Sequence, residues 1–220
     1  MTGRPAVDYD RAAADYHRSR GATAGTAAWR EPVLRVLVGA PAGPVVDLGA
    51  GTGAWSGPLA AWTGRPVVAV EPSAGMRAEA ARTTRDEPAV HLVAGRGGAV
   101  PLRDGVAGAA WLSTVLHHVG DLGACARDLR RVLAPGAPVV IRGALAGRYD
   151  GVPLVRYFPA ARAVLDRFPS LAEARAAFEG AGFAFAGVER VDEAPVDLRA
   201  WRARVPGQRR VDTTLVGLSD

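Results

Sequence analysis

Three groups of residues carry side chains or spacings that can do chemistry. The first is the run Gly49-Ala50-Gly51-Thr52-Gly53, directly after the apolar stretch Pro44 to Leu48 and its one acid, Asp47. Glycines in such a loop let a ligand come close to backbone. The spacing G-x-G-x-G is one residue shorter than the dinucleotide fingerprint G-x-G-x-x-G, and position 54 is Ala. A pyrophosphate seated on the next helix therefore does not fit the register. A phosphate P-loop is excluded more firmly, because no Gly-Lys-Ser/Thr follows. The second group is Glu71, 24 residues after Asp47 and at the tip of another apolar run. A carboxylate there can accept hydrogen bonds from both hydroxyls of a ribose. A ligand with ribose and no pyrophosphate satisfies both observations. The third group is the pair His117-His118, after a further apolar run. Histidine can take a proton near neutral pH. Adjacent side chains on a turn cannot share one direction, so at most one of the two faces a substrate, with His118 favoured over His117, and a structural role for both is the alternative.

These groups need elements to hold them. Residues 5–38 read as helical, with Tyr9 and Tyr16 seven apart on one face and Pro32 near a helix start where proline is tolerated. Short apolar runs then alternate with helical patterns. Strands are expected over Pro44–Leu48, Pro66–Glu71, 89–95, 106–113 and 137–143, and helices over Thr52–Trp62, Ala74–Arg82 and Leu122–Leu133. This alternation predicts an α/β fold, Rossmann-like and doubly wound, with a mostly parallel sheet covered by helices on both faces. Beyond residue 144, a helical stretch broken at Pro169-Ser170 leads to two expected strands, 182–192 and 209–218, for a seven-stranded sheet in all. The whole chain reads as one domain: an N-terminal helical lid to residue 40, a ligand-binding core over 44–143, and substrate-side helices and strands over 144–220.

Composition narrows the function. The chain has 220 residues, 49% hydrophobic and 22% charged, as in ordinary globular domains. Its apolar runs are strand-sized, so no membrane span is expected. The first 20 residues are polar, and we expect no secretory signal and a cytoplasmic protein. All basic charge is arginine, at a formal net charge of +5, which does not call for a nucleic-acid partner. The densest basic stretch, Arg199 to Arg210, reads as a solvated face or an anion contact. Cys125 is the one cysteine and reads as a small buried hydrophobe. No metal site is expected from four scattered histidines. The chain stops at "TTLVGLSD", straight after an expected edge strand, which points to a shortened C-terminal end.

At the level of motifs, "VVDLGAGTG", "VVAVEPSAGMRAEA", "VLHHVGDLGACARDLRRVLAPGAPVVIRG" and "YDRAAADYHRSRG" together resemble class I S-adenosylmethionine-dependent methyltransferases, and most closely the type 11 (UbiE-like) small-molecule group. The resemblance covers roughly residues 8–143. It implies that Asp47, Gly49, Ala50, Gly51 and Gly53 surround the methionine end of S-adenosylmethionine and that Glu71 holds its ribose. Pro72 and Met76 would flank the adenine, Tyr16 and Arg20 would close over the cofactor, and Ser113 would lie beside the sulfonium. The pattern departs at two places. The family's acid after the third strand is replaced by Gly95-Arg96-Gly97-Gly98, so Arg96, with Gly97, would stack on the base rather than accept from it. The acid that opens the family's fourth strand is Gly108 here. The implied function is methyl transfer to a small molecule, such as a specialised bacterial metabolite, with S-adenosylhomocysteine as product. Tyr149, Tyr157, Phe158 and Phe168 are expected to wall an apolar pocket, and His17 to stand near the lid or on the surface. The rival readings are an RNA or protein methyltransferase and a fold kept for non-methylating chemistry or binding.

Overall fold

A computed structural model describes residues 7–20, 26–149, 153–191 and 197–216. Five strands form one parallel sheet: β1 Val45–Leu48, β2 Val67–Glu71, β3 Val90–Ala94, β4 Ala109–Ser113 and β5 Val139–Arg142, in the order β3-β2-β1-β4-β5. The helices are α1 Tyr9–Arg20, α2 Arg30–Leu37, α3 Ser56–Thr63, α4 Ala74–Thr83, α5 Leu122–Val132, α6 Pro153–Tyr157, α7 Ala161–Leu165, α8 Leu171–Gly180 and α9 Leu198–Val211.

Every residue of β1 and β2 is buried, because helices cover both faces of the sheet. Side chains alternate between those faces. Val46, Leu48, Val68, Val70, Ala110 and Leu112 meet Cys125, Ala126, Leu129 and Val132 of α5 and Ala174 and Phe178 of α8. The 3–4 residue spacing on α5 is what puts those four side chains on one stripe. On the other face Val45, Val67, Ala109 and Trp111 meet Val33 of α2 and Leu59 of α3. Trp29, Trp55 and Trp62 join this second layer, with Trp55 and Trp111 ring centres 4.9 Å apart and Trp29 6.0 Å from Trp111.

The chain lays down β1, β2 and β3 in one direction and then crosses back to place β4 on the other side of β1. Strand order therefore reverses between β1 and β4. In an open α/β sheet a crevice opens beyond the strand ends at such a point. Gly49 leaves β1 there, and Thr114 leaves β4.

The expected seven strands are not found: the sheet has five among the described residues. Residues 183–191 form no strand although Phe183 and Phe185, two apart, would share a strand face. Phe183 packs on Phe178, but Phe185 and Val188 stay 41% and 53% exposed, so the segment has no apolar face to lay on a layer. The second expected strand, 209–218, is helical to Val211 and then a turn through residue 216; the rest lies outside the described residues. Asp197 starts this helix by accepting from the backbone N–H of Arg199 and Ala200. Trp201 Nε1 donates to Gln208 Oε1 at 3.0 Å, and Gln208 Nε2 donates to the Ser19 carbonyl at 3.0 Å, which ties α9 to α1. The basic run Arg199 to Arg210 thus lies on a helix packed on α1, with Arg199, Arg202 and Arg210 exposed and Arg204 half-buried. No described helix is long and apolar enough to cross a membrane.

Candidate functional site

The glycine loop turns sharply as it leaves β1. Gly49 and Ala50 donate their N–H groups to the Val70 carbonyl at 2.8 and 3.2 Å, so the loop folds back over the end of β2. Gly49 has φ +72°, and a β-carbon there would meet Val115 Cγ2 at 2.3 Å; only glycine lets the loop pass this close to the exit of β4. Gly51 is also left-handed, with φ +56°, but a β-carbon there would meet nothing within 4 Å. The space over Gly51 is open.

Glu71 closes the loop from the neighbouring strand. Its Oε2 accepts from Gly51 N at 3.0 Å and its Oε1 from Ser73 N at 2.9 Å. Both oxygens keep a lone pair for a further donor. Burial raises its pKa above the ordinary carboxylate value, against the pull of the two N–H donors. Asp47 lies deeper, 1% exposed, with Oδ2 accepting from Ser56 Oγ at 2.7 Å. Burial raises its pKa to about 7; the Ser56 hydroxyl opposes this and the Glu71 charge adds to it. A hydroxyl-rich neutral or cationic ligand is what such an acceptor-rich crevice suits.

Helix α1 reaches both sides of this crevice with adjacent residues. Asp10 Oδ1 accepts from Ser73 Oγ at 2.6 Å and from Gly75 N at 3.0 Å, in the first turn of α4. The fit is tight, because a β-carbon on Gly75 would lie 2.2 Å from the Asp10 carbonyl oxygen. Those bonds hold the Asp10 carboxyl below its ordinary pKa, the Ser73 hydroxyl being the largest cause. Tyr9 OH meets His118 Nε2 at 3.2 Å, on the short 3-10 turn Leu116–His118 beyond β4. Tyr9 and Tyr16 pack edge to face at 6.0 Å, as the seven-residue spacing requires.

The two histidines diverge. His118 is exposed and faces Tyr9, while half-buried His117 stacks flat on Phe168 at 4.0 Å and comes within 3.4 Å of Thr213 Oγ1. Leu116, His117, Val119, Leu122, Arg167 and Phe168 are among the residues lining a cleft of about 270 Å³. Of the four aromatics expected to wall a pocket, Phe168 does so. Tyr149 packs beside Val155 and Leu165 and donates to Asp166, while Tyr157 and Phe158 meet Trp201.

Ser113 sits half-buried at the end of β4, 3.4 Å from Arg142 Nη1, which also reaches Thr114 Oγ1 at 3.3 Å. The Arg142 guanidinium lies 5.1 Å from the Trp29 ring and 5.0 Å from the Trp55 ring. Thr114 has φ +57°, a conformation costly for a threonine, held by its N–H to the Arg142 carbonyl at 2.7 Å. Met76 is buried at 3% exposure, Pro72 is exposed and His17 is half-buried. The Arg20 side chain lies outside the described residues.

The two departures from the family pattern have packing reasons. A β-carbon on Gly97 would meet Cys125 Sγ at 2.7 Å, and one on Gly108 would meet the Pro41 carbonyl oxygen at 2.3 Å. Arg96 is exposed, and its carbonyl accepts from Ala99 N to close a tight turn. Cys125 is fully buried, and burial raises its thiol pKa to about 11, so it is a core side chain. The described residues contain no cluster of three metal-ligating side chains. Sequence reasoning missed Asp10, Arg142 and the Tyr9–His118 contact. An acid beside Tyr9 in the first helical turn was the available signal for Asp10; nothing local marked Arg142.

Residues 46–141 match a family model described as a methyltransferase domain. Among curated proteins, the demethylmenaquinone methyltransferase of Mycolicibacterium vanbaalenii is 37% identical over 113 residues, 51% of this chain and 47% of that protein. The dimethylglycine N-methyltransferase of Parasynechococcus marenigrum is 34% identical over 135 residues, 59% of this chain and 46% of its own length. The matches thus span about half or less of these relatives' lengths. Among solved structures, the methyltransferase in complex with the Haloferax volcanii Trm112 activator superposes with TM-score 0.67 at 21% identity, covering 96% of this chain and 95% of that one. An S-adenosylmethionine-dependent methyltransferase from Aquifex aeolicus gives TM-score 0.65 at 20% identity, covering 84% and 94%. Residues 46–141 are thus similar to a methyltransferase domain, and the solved structures share the fold of this chain.

Proposed function

We infer that this chain, with its methyltransferase domain over residues 46–141, transfers the methyl group of S-adenosylmethionine to a small-molecule acceptor. The observation that carries the reading is Glu71: a buried carboxylate at the tip of β2, oriented through both oxygens by backbone N–H groups and facing a crevice open above Gly51. The residues present fit the cofactor. Glu71 would take the two ribose hydroxyls. Gly49, Ala50, Gly51 and Gly53, backed by Asp47, would line the methionine end. Met76 and Pro72, with Arg96 and Gly97, would lie toward the adenine, and Ser113 toward the sulfonium. Tyr16 and Arg20 would close from α1, which acts as a lid over the crevice.

When bound, the cofactor supplies an electrophilic methyl group on a sulfonium. The protein's task is then to hold an acceptor atom about 3–3.5 Å from that carbon, on the side away from sulfur. The cleft beside His117 is the acceptor site in this reading, with Phe168 and Leu116 for apolar contact and His118 next to it for proton removal. The acceptor is a small molecule of specialised bacterial metabolism; the names of the demethylmenaquinone and dimethylglycine methyltransferases support a small acceptor.

Calorimetric titration with S-adenosylmethionine and S-adenosylhomocysteine, for the wild type and Glu71→Ala, tests the cofactor site. Micromolar binding by the wild type, weakened at least about 30-fold in the variant, is expected from the loss of charge-assisted bonds at 1.5–3 kcal/mol each. Equal binding by both proteins would refute the assignment of Glu71.

A further inference from the structure

Ser73 stands between Glu71 and helix α1. Its N–H donates to Glu71 Oε1 at 2.9 Å. Its hydroxyl has one hydrogen to give, and gives it to Asp10 Oδ1 at 2.6 Å. The same hydroxyl oxygen accepts from Met76 N at 3.1 Å and so caps α4. Ser73 thus orients Glu71 with its backbone, starts α4 with its side chain and is held by α1. Asp10 Oδ1 also accepts from Gly75 N at 3.0 Å, so one oxygen grips two residues at the start of α4. The partial positive charge of a helix N-terminus favours a carboxylate in that place. Arg77 steadies the same turn from within α4, its Nη1 donating to the Glu71 and Pro72 carbonyls at 2.8 Å each. The second Glu71 oxygen is held by Gly51 N at 3.0 Å. The Gly51 and Arg77 bonds tie Glu71 to the core, whereas the Ser73 bond leads outward to α1.

We propose that Asp10 is a positioning residue for the cofactor: it acts on Glu71 through Ser73, so that docking of α1 and filling of the ribose site strengthen each other. The proposal rests on the S-adenosylmethionine reading above and adds to it a residue that Glu71 depends on. A ribose bonded to Glu71 fixes the carboxylate, the carboxylate fixes the Ser73 N–H, and the Ser73 hydroxyl then stays aimed at Asp10. The converse is equal by linkage: whatever factor docking of α1 adds to cofactor affinity, the cofactor adds to docking.

The test is calorimetric titration with S-adenosylhomocysteine of the wild type, Asp10→Ala, Glu71→Ala and the double variant. Asp10 is exposed, so the coupling belongs at the low end of the usual range, and Asp10→Ala should weaken binding about 5-fold or more. In the Glu71→Ala background the same change should cost no more than about 2-fold, the scatter of independent sites. Equal losses in the two backgrounds would mean that Asp10 does not act through Glu71, and would overturn the proposal, as would unchanged binding by Asp10→Ala. Asp10→Asn keeps an oxygen able to accept from Ser73 and Gly75 and should recover most of the lost affinity; a loss as large as that of Asp10→Ala would overturn the hydrogen-bonded route. Hydrogen exchange gives the converse arm. Saturating S-adenosylhomocysteine should slow exchange across residues 9–20 in the wild type and not in Asp10→Ala, while exchange in β1 and β2 stays alike in both proteins. Equal protection of α1 in the two proteins would overturn the coupling. A wild type that does not bind S-adenosylhomocysteine refutes the cofactor reading and the proposal with it, whereas a wild type that binds, with additive losses in the variants, overturns the proposal alone.

Discussion

Replacing Asp47 by asparagine should make the protein less sensitive to alkali. The folded chain holds the Asp47 carboxyl at a pKa of about 7 against an ordinary 3.8, because burial penalises the anion more than the Ser56 hydroxyl favours it. Below pH 3.8 the group is neutral in both states and its burial is at its least costly. As pH rises to about 7, the unfolded chain releases the proton and the folded chain keeps it, so folding stability falls. Above about 7 both states are ionised and the loss is complete. At about 1.4 kcal/mol per pH unit between the two pKa values, the loss is about 4 kcal/mol, a large share of a typical 5–15 kcal/mol. Asp47→Asn preserves an oxygen that can accept from Ser56 Oγ and cannot titrate. Its new amide N–H groups add a constant cost of about 1–3 kcal/mol, so the slope with pH, not the offset, carries the information. Glu71, also raised by burial, has the same sign and is present in both proteins, as are the lowered Asp10 and Glu173. The assay is reversible urea unfolding of both proteins between pH 4 and 8. The wild-type curve should fall relative to that of the variant by several kcal/mol over this interval. Parallel curves would refute the claim that Asp47 carries its proton into the fold.

Gly75→Ala should leave α4 at least as helical while driving α1 from it, because the new β-carbon would lie 2.2 Å from the Asp10 carbonyl oxygen and 2.8 Å from two more backbone atoms. Hydrogen exchange should accelerate across residues 9–20 and not across β1 and β2. Gly108→Asp restores the acid that the family has at that position, yet it should lower the melting temperature and not tighten S-adenosylhomocysteine binding. Its β-carbon alone would meet the Pro41 oxygen at 2.3 Å, an overpacking cost of about 1–3 kcal/mol before any charge is buried.

The parts of the site that were legible in the sequence are those fixed by local chemistry. A glycine loop after a buried strand, and an acid at the end of the next strand, follow from backbone reach and strand length. Helix α5 was legible because Cys125, Leu129 and Val132 repeat at helical spacing. The C-terminal third was not. Phe183 and Phe185 carry strand-like spacing, but such spacing says nothing about whether a sheet edge is within reach. Pro206 argued against the helix that contains it. The helix forms regardless, because Asp197 caps its start and Trp201 and Gln208, seven apart, share the face turned to α1. The link between Tyr9 and His118 joins residues 109 apart and depends on how α1 docks, which no local pattern encodes.

The tryptophan layer gives the molecule an optical signature of its own. Four of its five indoles stand in one chain of contacts, Trp62 to Trp55 to Trp111 and Trp29, with ring centres 4.9–6.4 Å apart and planes crossed at 47–89°. Rings this close and this tilted share their electronic excitations, which gives intense near-ultraviolet circular dichroism and fast energy transfer among them. Trp29 is the member contributed by the segment between α1 and α2, outside the sheet and α3. Loosening of that segment would extinguish its part of the dichroic band while the other three rings kept theirs. Any release of Trp29 from this layer could thus be followed by light alone, in a protein carrying no dye.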